Sequence, residues 1–170
     1  MNKKISIVVS FFLLMFFLGS AVFYQSCKKD PCKKVFCANN GTCKDGTCTC
    51  PTGYEGSDCV ALSRDKFVGT YEVNEDCANT TAAVYNISVS TLQSDISKVL
   101  IYNFNKRWSV PVFATVDKNT ITIASQQPNN DGVSVVGSGT ISADGKTVTM
   151  SYTITGSTSD DVCSSSVWIK

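Results

Sequence analysis

The chain contains no histidine. That absence removes Ser-His-Asp triads, Cys-His dyads and histidine-ligated metals together. Charge is sparse, with 15 Lys and Arg against 14 Asp and Glu in 170 residues. The carboxylates are scattered, and nothing favours the paired acids of a glycosidase. Glu75-Asp76 and Asp160-Asp161 are adjacent pairs close to cysteines, and they read as solvated loop ends. No phosphate-binding glycine loop occurs, since Gly137-Ser138-Gly139 is a lone G-x-G inside a β-branched run. No basic stripe marks a nucleic-acid face, and beyond Lys3-Lys4 the lysines gather only at Lys28-Lys29 and Lys33-Lys34. The expectation is a protein that is not an enzyme, with no cofactor, no metal site and no nucleic-acid partner.

What the chain does have is cysteine, nine in all, and they fall as one, six and two. Cys27 stands alone after an apolar run. Lys3 and Lys4 precede an uncharged stretch from Ile5 to Tyr24 that is mostly Ile, Val, Phe, Leu and Met, and Ser26 comes just before the cysteine. A positive region, an apolar core and a cleavage site make a secretory signal, here an N-terminal signal helix over 1–26. Six and two cysteines can pair internally, which leaves the odd one where acylation needs it. Tyr24-Gln25-Ser26-Cys27 loosely resembles a bacterial lipobox, which implies cleavage before Cys27 and lipidation of its thiol. Residues 27–31 are then a lipidated linker. An uncleaved membrane helix is the rival, because about 20 apolar residues span a bilayer. Without Lys3 and Lys4 the chain has 13 basic and 14 acidic residues. Cys27-Lys28-Lys29-Asp30 is similar to signals that send some Gram-negative lipoproteins to the cell surface. The expected place is the bacterial outer membrane, surface-exposed or periplasm-facing.

The six-cysteine segment, 32–59, has the gaps C-x4-C-x5-C-x4-C-x-C-x8-C. Thirty residues bury too little apolar surface to fold unaided, so disulfides must hold such a unit. Spacing alone leaves fifteen connectivities open. Asn40-Gly41-Thr42-Cys43 and Cys50-Pro51-Thr52-Gly53-Tyr54-Glu55-Gly56-Ser57-Asp58-Cys59 closely resemble the N-G-x-C and C-x-x-G-[FY]-x-G-x-x-C motifs of an epidermal growth factor (EGF)-like module. The resemblance implies the bonds Cys32–Cys43, Cys37–Cys48 and Cys50–Cys59. Zinc is the rival for such a cysteine cluster, and the chain has no histidine to complete a mixed site. Calcium-binding EGF modules carry several acidic and amide residues before the first cysteine, where this chain has only Asp30, and its Cys43–Cys48 loop is too short for their second ligand position, which implies no calcium site. The module reads as a rigid spacer or recognition knob.

Residues 60–65 read as a linker, and from Lys66 onward the composition shifts to Thr, Ser, Val, Ile and Tyr. β-branched residues alternate with polar ones, the signature of half-buried strands. The pattern predicts eight strands at 67–75, 83–91, 98–105, 109–117, 119–126, 133–142, 146–154 and 162–169. Asp117-Lys118-Asn119 and Asp144-Gly145 mark tight hairpins, and Gly137 with Gly139 marks a bulge or bend. Val148, Met150, Tyr152 and Ile154 share one face. Eight strands joined by short turns predict an all-β, antiparallel up-and-down barrel over 66–170. Phe67-Val68-Gly69-Thr70-Tyr71 is similar to the first-strand F-x-G-x-[WY] motif of the lipocalin-like (calycin) superfamily. That likeness implies structural roles for Phe67, Gly69 and Tyr71 at the closed end of a barrel. A Cys77–Cys163 bond would staple first strand to last. The competing fold is an immunoglobulin-like sandwich, whose long-range disulfide packs on a buried Trp, and Trp108 lies between these cysteines. Lys106-Arg107-Trp108 otherwise reads as an exposed hairpin tip.

Two functions follow. The first is a lipid-anchored binding protein that holds a small apolar ligand in the barrel, lined by Val89, Ile101, Phe113, Ile123 and Val135. The second is a structural or adhesive protein with a filled barrel, meeting a protein or glycan partner through its surface.

Overall fold

The computed structural model describes residues 29–156 and 160–170, with side chains left aside at 80–82. The predicted signal helix and Cys27 lie outside the described residues.

Two small antiparallel ladders make up the N-terminal module. β1 (Thr42–Lys44) pairs with β2 (Thr47–Thr49), and β3 (Tyr54–Glu55) pairs with β4 (Ala61–Leu62). Disulfides join Cys32 to Cys43, Cys37 to Cys48 and Cys50 to Cys59. The Asp30 carboxylate accepts from Cys32 N at 2.9 Å and opens the turn that enters the module.

Eight further strands form a closed barrel in which each pairs antiparallel with its chain neighbours. They are β5 (Gly69–Cys77), β6 (Thr80–Thr91), β7 (Lys98–Tyr102), β8 (Val112–Asp117), β9 (Thr120–Gln126), β10 (Ser134–Ile141), β11 (Thr147–Thr155) and β12 (Asp161–Ile169). The ring closes where β12 pairs with β5, from Ser166↔Glu75 to Ile169↔Glu72. The Cys77–Cys163 disulfide continues that seam beyond the last rung. Closure rules out the two-sheet sandwich.

Alternation sets the core. In β5, Tyr71, Val73, Glu75 and Cys77 turn inward while the residues between them face out. In β12 the parity switches. Cys163 and Ser166 are both inside, because Ser164 and Ser165 together oppose one residue of β11. Without that bulge either the disulfide or Trp168 would face water. A second bulge lies in β9, where two residues, Ala124 and Ser125, oppose Val136 of β10. The bend expected from Gly137 and Gly139 thus has its extra residue in the facing strand. The glycines answer a different need. A Cβ on Gly137 would sit 2.5 Å from Tyr152 Cβ and 2.7 Å from Ser151 O, and one on Gly139 would collide with Met150. Bare backbone in β10 makes room for the large side chains of β11.

Three sequence expectations change. The third strand stops at Tyr102, and Phe104–Lys106 forms a 3-10 turn entered through Asn103 at φ 60°. Asn tolerates that left-handed conformation, and two Asn in this stretch were the signal. Trp108 is 2% exposed, not a hairpin tip, because this turn folds back over the barrel mouth. Finally, 60–65 is not a free linker. Ala61–Leu62 is a strand of the module, and Ser63–Lys66 is a 3-10 turn with Ser63 and Arg64 buried.

Candidate functional site

The barrel interior is the first place to look for a ligand, and a cluster of large aromatic side chains lies in it. Phe104 reaches in from the β7–β8 turn and is 1% exposed. Its ring meets Tyr152 edge-on at 4.8 Å, Trp108 at 6.0 Å and Trp168 at 6.1 Å. Tyr71 packs edge-on against Trp168 from the other side. Aromatic pairs at such spacings add to the burial of their large surfaces.

Within this apolar filling lies one carboxyl group. Glu75 is 4% exposed. Its Oε1 accepts from Tyr85 Oη at 2.7 Å and Asn105 Nδ2 at 3.2 Å, and its Oε2 accepts from Tyr152 Oη at 2.7 Å and Ser166 Oγ at 2.8 Å. Asn105 also donates to Tyr152 Oη at 2.9 Å and its backbone N–H to Tyr85 Oη at 3.1 Å. Trp168 Nε1 donates to Ser166 Oγ at 3.0 Å. A buried polar group is costly unless its partners are satisfied, and this network satisfies it. Burial, together with the neighbouring Glu75, holds the Tyr85 and Tyr152 phenols well above the usual tyrosine range. Burial alone does the same for Tyr71, whose hydroxyl donates to Phe67 O at 2.7 Å.

The arrangement ties strands together, with both Glu75 oxygens engaged. Glu75, Cys77 and Cys163 bring ligand atoms within 4.8 Å of one another. The two sulfurs are bonded to each other, however, and so are not thiolate ligands. Reading Glu75 as a solvated loop end is therefore corrected, because the parity of Tyr71, Val73 and Cys77 carries it inside. Asp161 is also buried, accepting from Asn79 N at 2.9 Å, whereas Asp160 is exposed.

Of the expected pocket lining, Val89, Ile101, Ile123 and Val135 point inward and are buried. Phe113 does not. It is 47% exposed, because Val112, Ala114 and Val116 hold the inward parity of β8. Phe113 instead borders an open groove of about 260 Å³ on the outer face, with Lys98, Thr115, Thr122 and Gln126. The β9 bulge makes this groove. Backbone pairing of β8 with β9 ends at Thr115↔Thr122. Beyond it the Gln126 side-chain amide takes the place of a strand, accepting from Phe113 N at 2.9 Å and donating to Phe113 O at 2.7 Å.

The module docks at the opposite end from Phe104. Arg64 Nη1 donates to Leu92 O at 2.7 Å and Asp95 O at 2.8 Å, in the β6–β7 turn. Lys66 Nζ bridges Glu55 of the module and Asn119 of the β8–β9 turn, each at 2.6 Å. Gly53, at φ +89°, lies so close to the same β6–β7 turn that a Cβ there would sit 3.2 Å from Ser97 Cβ.

The cysteine gaps, the three bonds and the paired turns make the first unit a small disulfide module. Residues 34–61 match the model of the Teneurin-like EGF domain. The match ends at Ala61, inside the strand that leads into the barrel, so the EGF-like module and the barrel abut without a spacer.

Proposed function

We propose that this chain is a lipid-anchored, non-catalytic interaction protein, with a filled barrel as its rigid support and a protein or glycan bound at its outer surface. The observation that carries this reading is the packing of Phe104, Trp108, Tyr152 and Trp168 around the saturated Glu75 group. An eight-stranded barrel is just wide enough for side chains or for one small ligand. The aromatic cluster around Glu75 supports side chains in that volume. The carrier reading, which leads on sequence alone, therefore falls to second place. The outer groove beside Phe113, with its exposed ring and its strand edge covered only by Gln126, is the contact surface this reading favours. Cys27, the one cysteine left over from four pairs, supports the anchor, in an outer membrane and facing either side.

Two measurements test the proposal. Titration with a fluorescent fatty acid should give no saturable binding, whereas stoichiometric binding displaced by unlabelled fatty acid would restore the carrier. Expressed in a Gram-negative host fed radiolabelled palmitate, the full chain should incorporate the label, and Cys27→Ser should abolish that incorporation. A parent chain that floats with membranes but takes up no label would point to an uncleaved helix.

A further inference from the structure

Phe36 is 79% exposed, the most exposed of the large hydrophobic side chains described. It lies between the first two cysteines of the module, and Lys29, Lys33 and Lys34 close to it are exposed as well. The one acid in that stretch, Asp30, is engaged in holding the Cys32 turn. The fold fixes the segment. The chain turns at Pro31–Lys34 with Val35 N donating to Cys32 O at 3.1 Å, and disulfides grip both flanking cysteines. The ring is held out in water on a segment that also carries three exposed lysines, and it adds almost nothing to the module's own packing.

We propose that this tip is a membrane-docking surface: Phe36 inserts at the lipid headgroup boundary while Lys29, Lys33 and Lys34 contact anionic lipid phosphates. The proposal rests on the membrane-anchor reading. Phe36 lies nine positions after Cys27, and an extended chain of that length reaches at most about 30 Å. The tip therefore lies near whichever surface holds the N-terminal segment, whether by lipid or by the apolar run. Aromatic rings favour the bilayer interface, and basic residues are drawn to anionic leaflets. Docking at this tip would add a second attachment to a single anchor and hold the module, and the barrel packed on it, at a fixed attitude to the membrane.

The test uses the full lipid-anchored chain with Phe36→Trp, reconstituted in vesicles of phosphatidylcholine and phosphatidylglycerol. The native Trp108 and Trp168 are buried in the barrel and serve as an internal reference. Flotation reports the anchor, and quenching of the added indole by brominated lipid reports docking. The expected result is a floating protein whose added emission is blue-shifted, mostly lost in brominated lipid, and partly recovered by Lys33→Gln with Lys34→Gln. A floating protein whose added indole is quenched by aqueous acrylamide and not by brominated lipid overturns docking and leaves the anchor standing. A protein that does not float overturns both.

Discussion

In the EGF-like module the one apolar residue fully withdrawn from water is a half-cystine, Cys59, whereas in the barrel the buried set runs from Phe67 to Trp168 and includes both tryptophans. The module closes loops of 9 to 11 residues with three covalent bonds, and the barrel spends a single bond on a separation of 86. One unit is stable because its unfolded ensemble is restricted, the other because it buries side chains at roughly 1.5–3 kcal/mol each. A chain built this way responds in two different manners to the same insult, and each prediction below pulls the two apart.

Reduction has the largest effect. The module cysteines other than Cys59 are only half-buried, but Cys77 and Cys163 are 7% and 0% exposed. Mild thiol treatment with alkylation should label the six module cysteines first and unfold the module, while near-ultraviolet dichroism of the buried tryptophans persists. Labelling of Cys77 and Cys163 ahead of the rest would erase the distinction.

Phe104→Ala comes next. It removes the ring that joins Trp108, Tyr152 and Trp168, and should cost the barrel about 3–5 kcal/mol in denaturant unfolding. The vacated volume should also create binding of an apolar dye that the parent chain refuses. Loss of stability without new dye binding would mean the site collapses.

Glu75→Ala leaves two phenols, a hydroxyl and an amide without their acceptor, and should cost about 3 kcal/mol. Glu75→Gln, which keeps one acceptor oxygen, should cost less. The same network gives a pH dependence. The folded Tyr71, Tyr85 and Tyr152 phenols ionise above the unfolded value near 10, so above that pH the folded state holds more protons. Stability is then complete below about pH 10 and falls as pH rises further. Tyrosinate absorbance of these three should appear together with unfolding. Smooth titration in the native state would contradict their burial.

The smallest effect belongs to the joint. Lys66 and Glu55 have side chains only 24% and 28% exposed, yet their bridge still borders solvent. A double-mutant cycle should return about 0.5–1 kcal/mol, weakened by salt. A value near zero would assign the docking of module on barrel to Arg64 and its two carbonyl partners.

Much of this architecture is legible in the sequence. Cysteine spacing carries the module because covalent geometry tolerates few arrangements. Alternation carries the barrel because inward and outward faces differ in every strand. Two expectations fail where local pattern and strand parity disagree. Phe113 is apolar, but Val112 and Ala114 hold the inner face of β8. Glu75 lies near a half-cystine, but it stands two residues from Val73 and two from Cys77 and shares their inward face. The partners that make its burial tolerable come from four other elements of the barrel: Tyr85, Asn105, Tyr152 and Ser166. No local pattern reveals such a convergence. Arg64 carries no local signal for its role either, since its acceptors lie in a turn about thirty residues away. The outer groove depends on a one-residue bulge in β9, which a run of alternating residues barely marks.

The central claim is that the barrel is full. Native mass spectrometry of the gently purified, disulfide-intact protein tests it most directly. The account predicts the bare mass of the chain and its anchor, unchanged when fatty acids or other apolar small molecules are offered. A stoichiometric extra mass that leaves on denaturation, and that Phe104→Ala alters, would show a ligand where these side chains are packed and would contradict the claim.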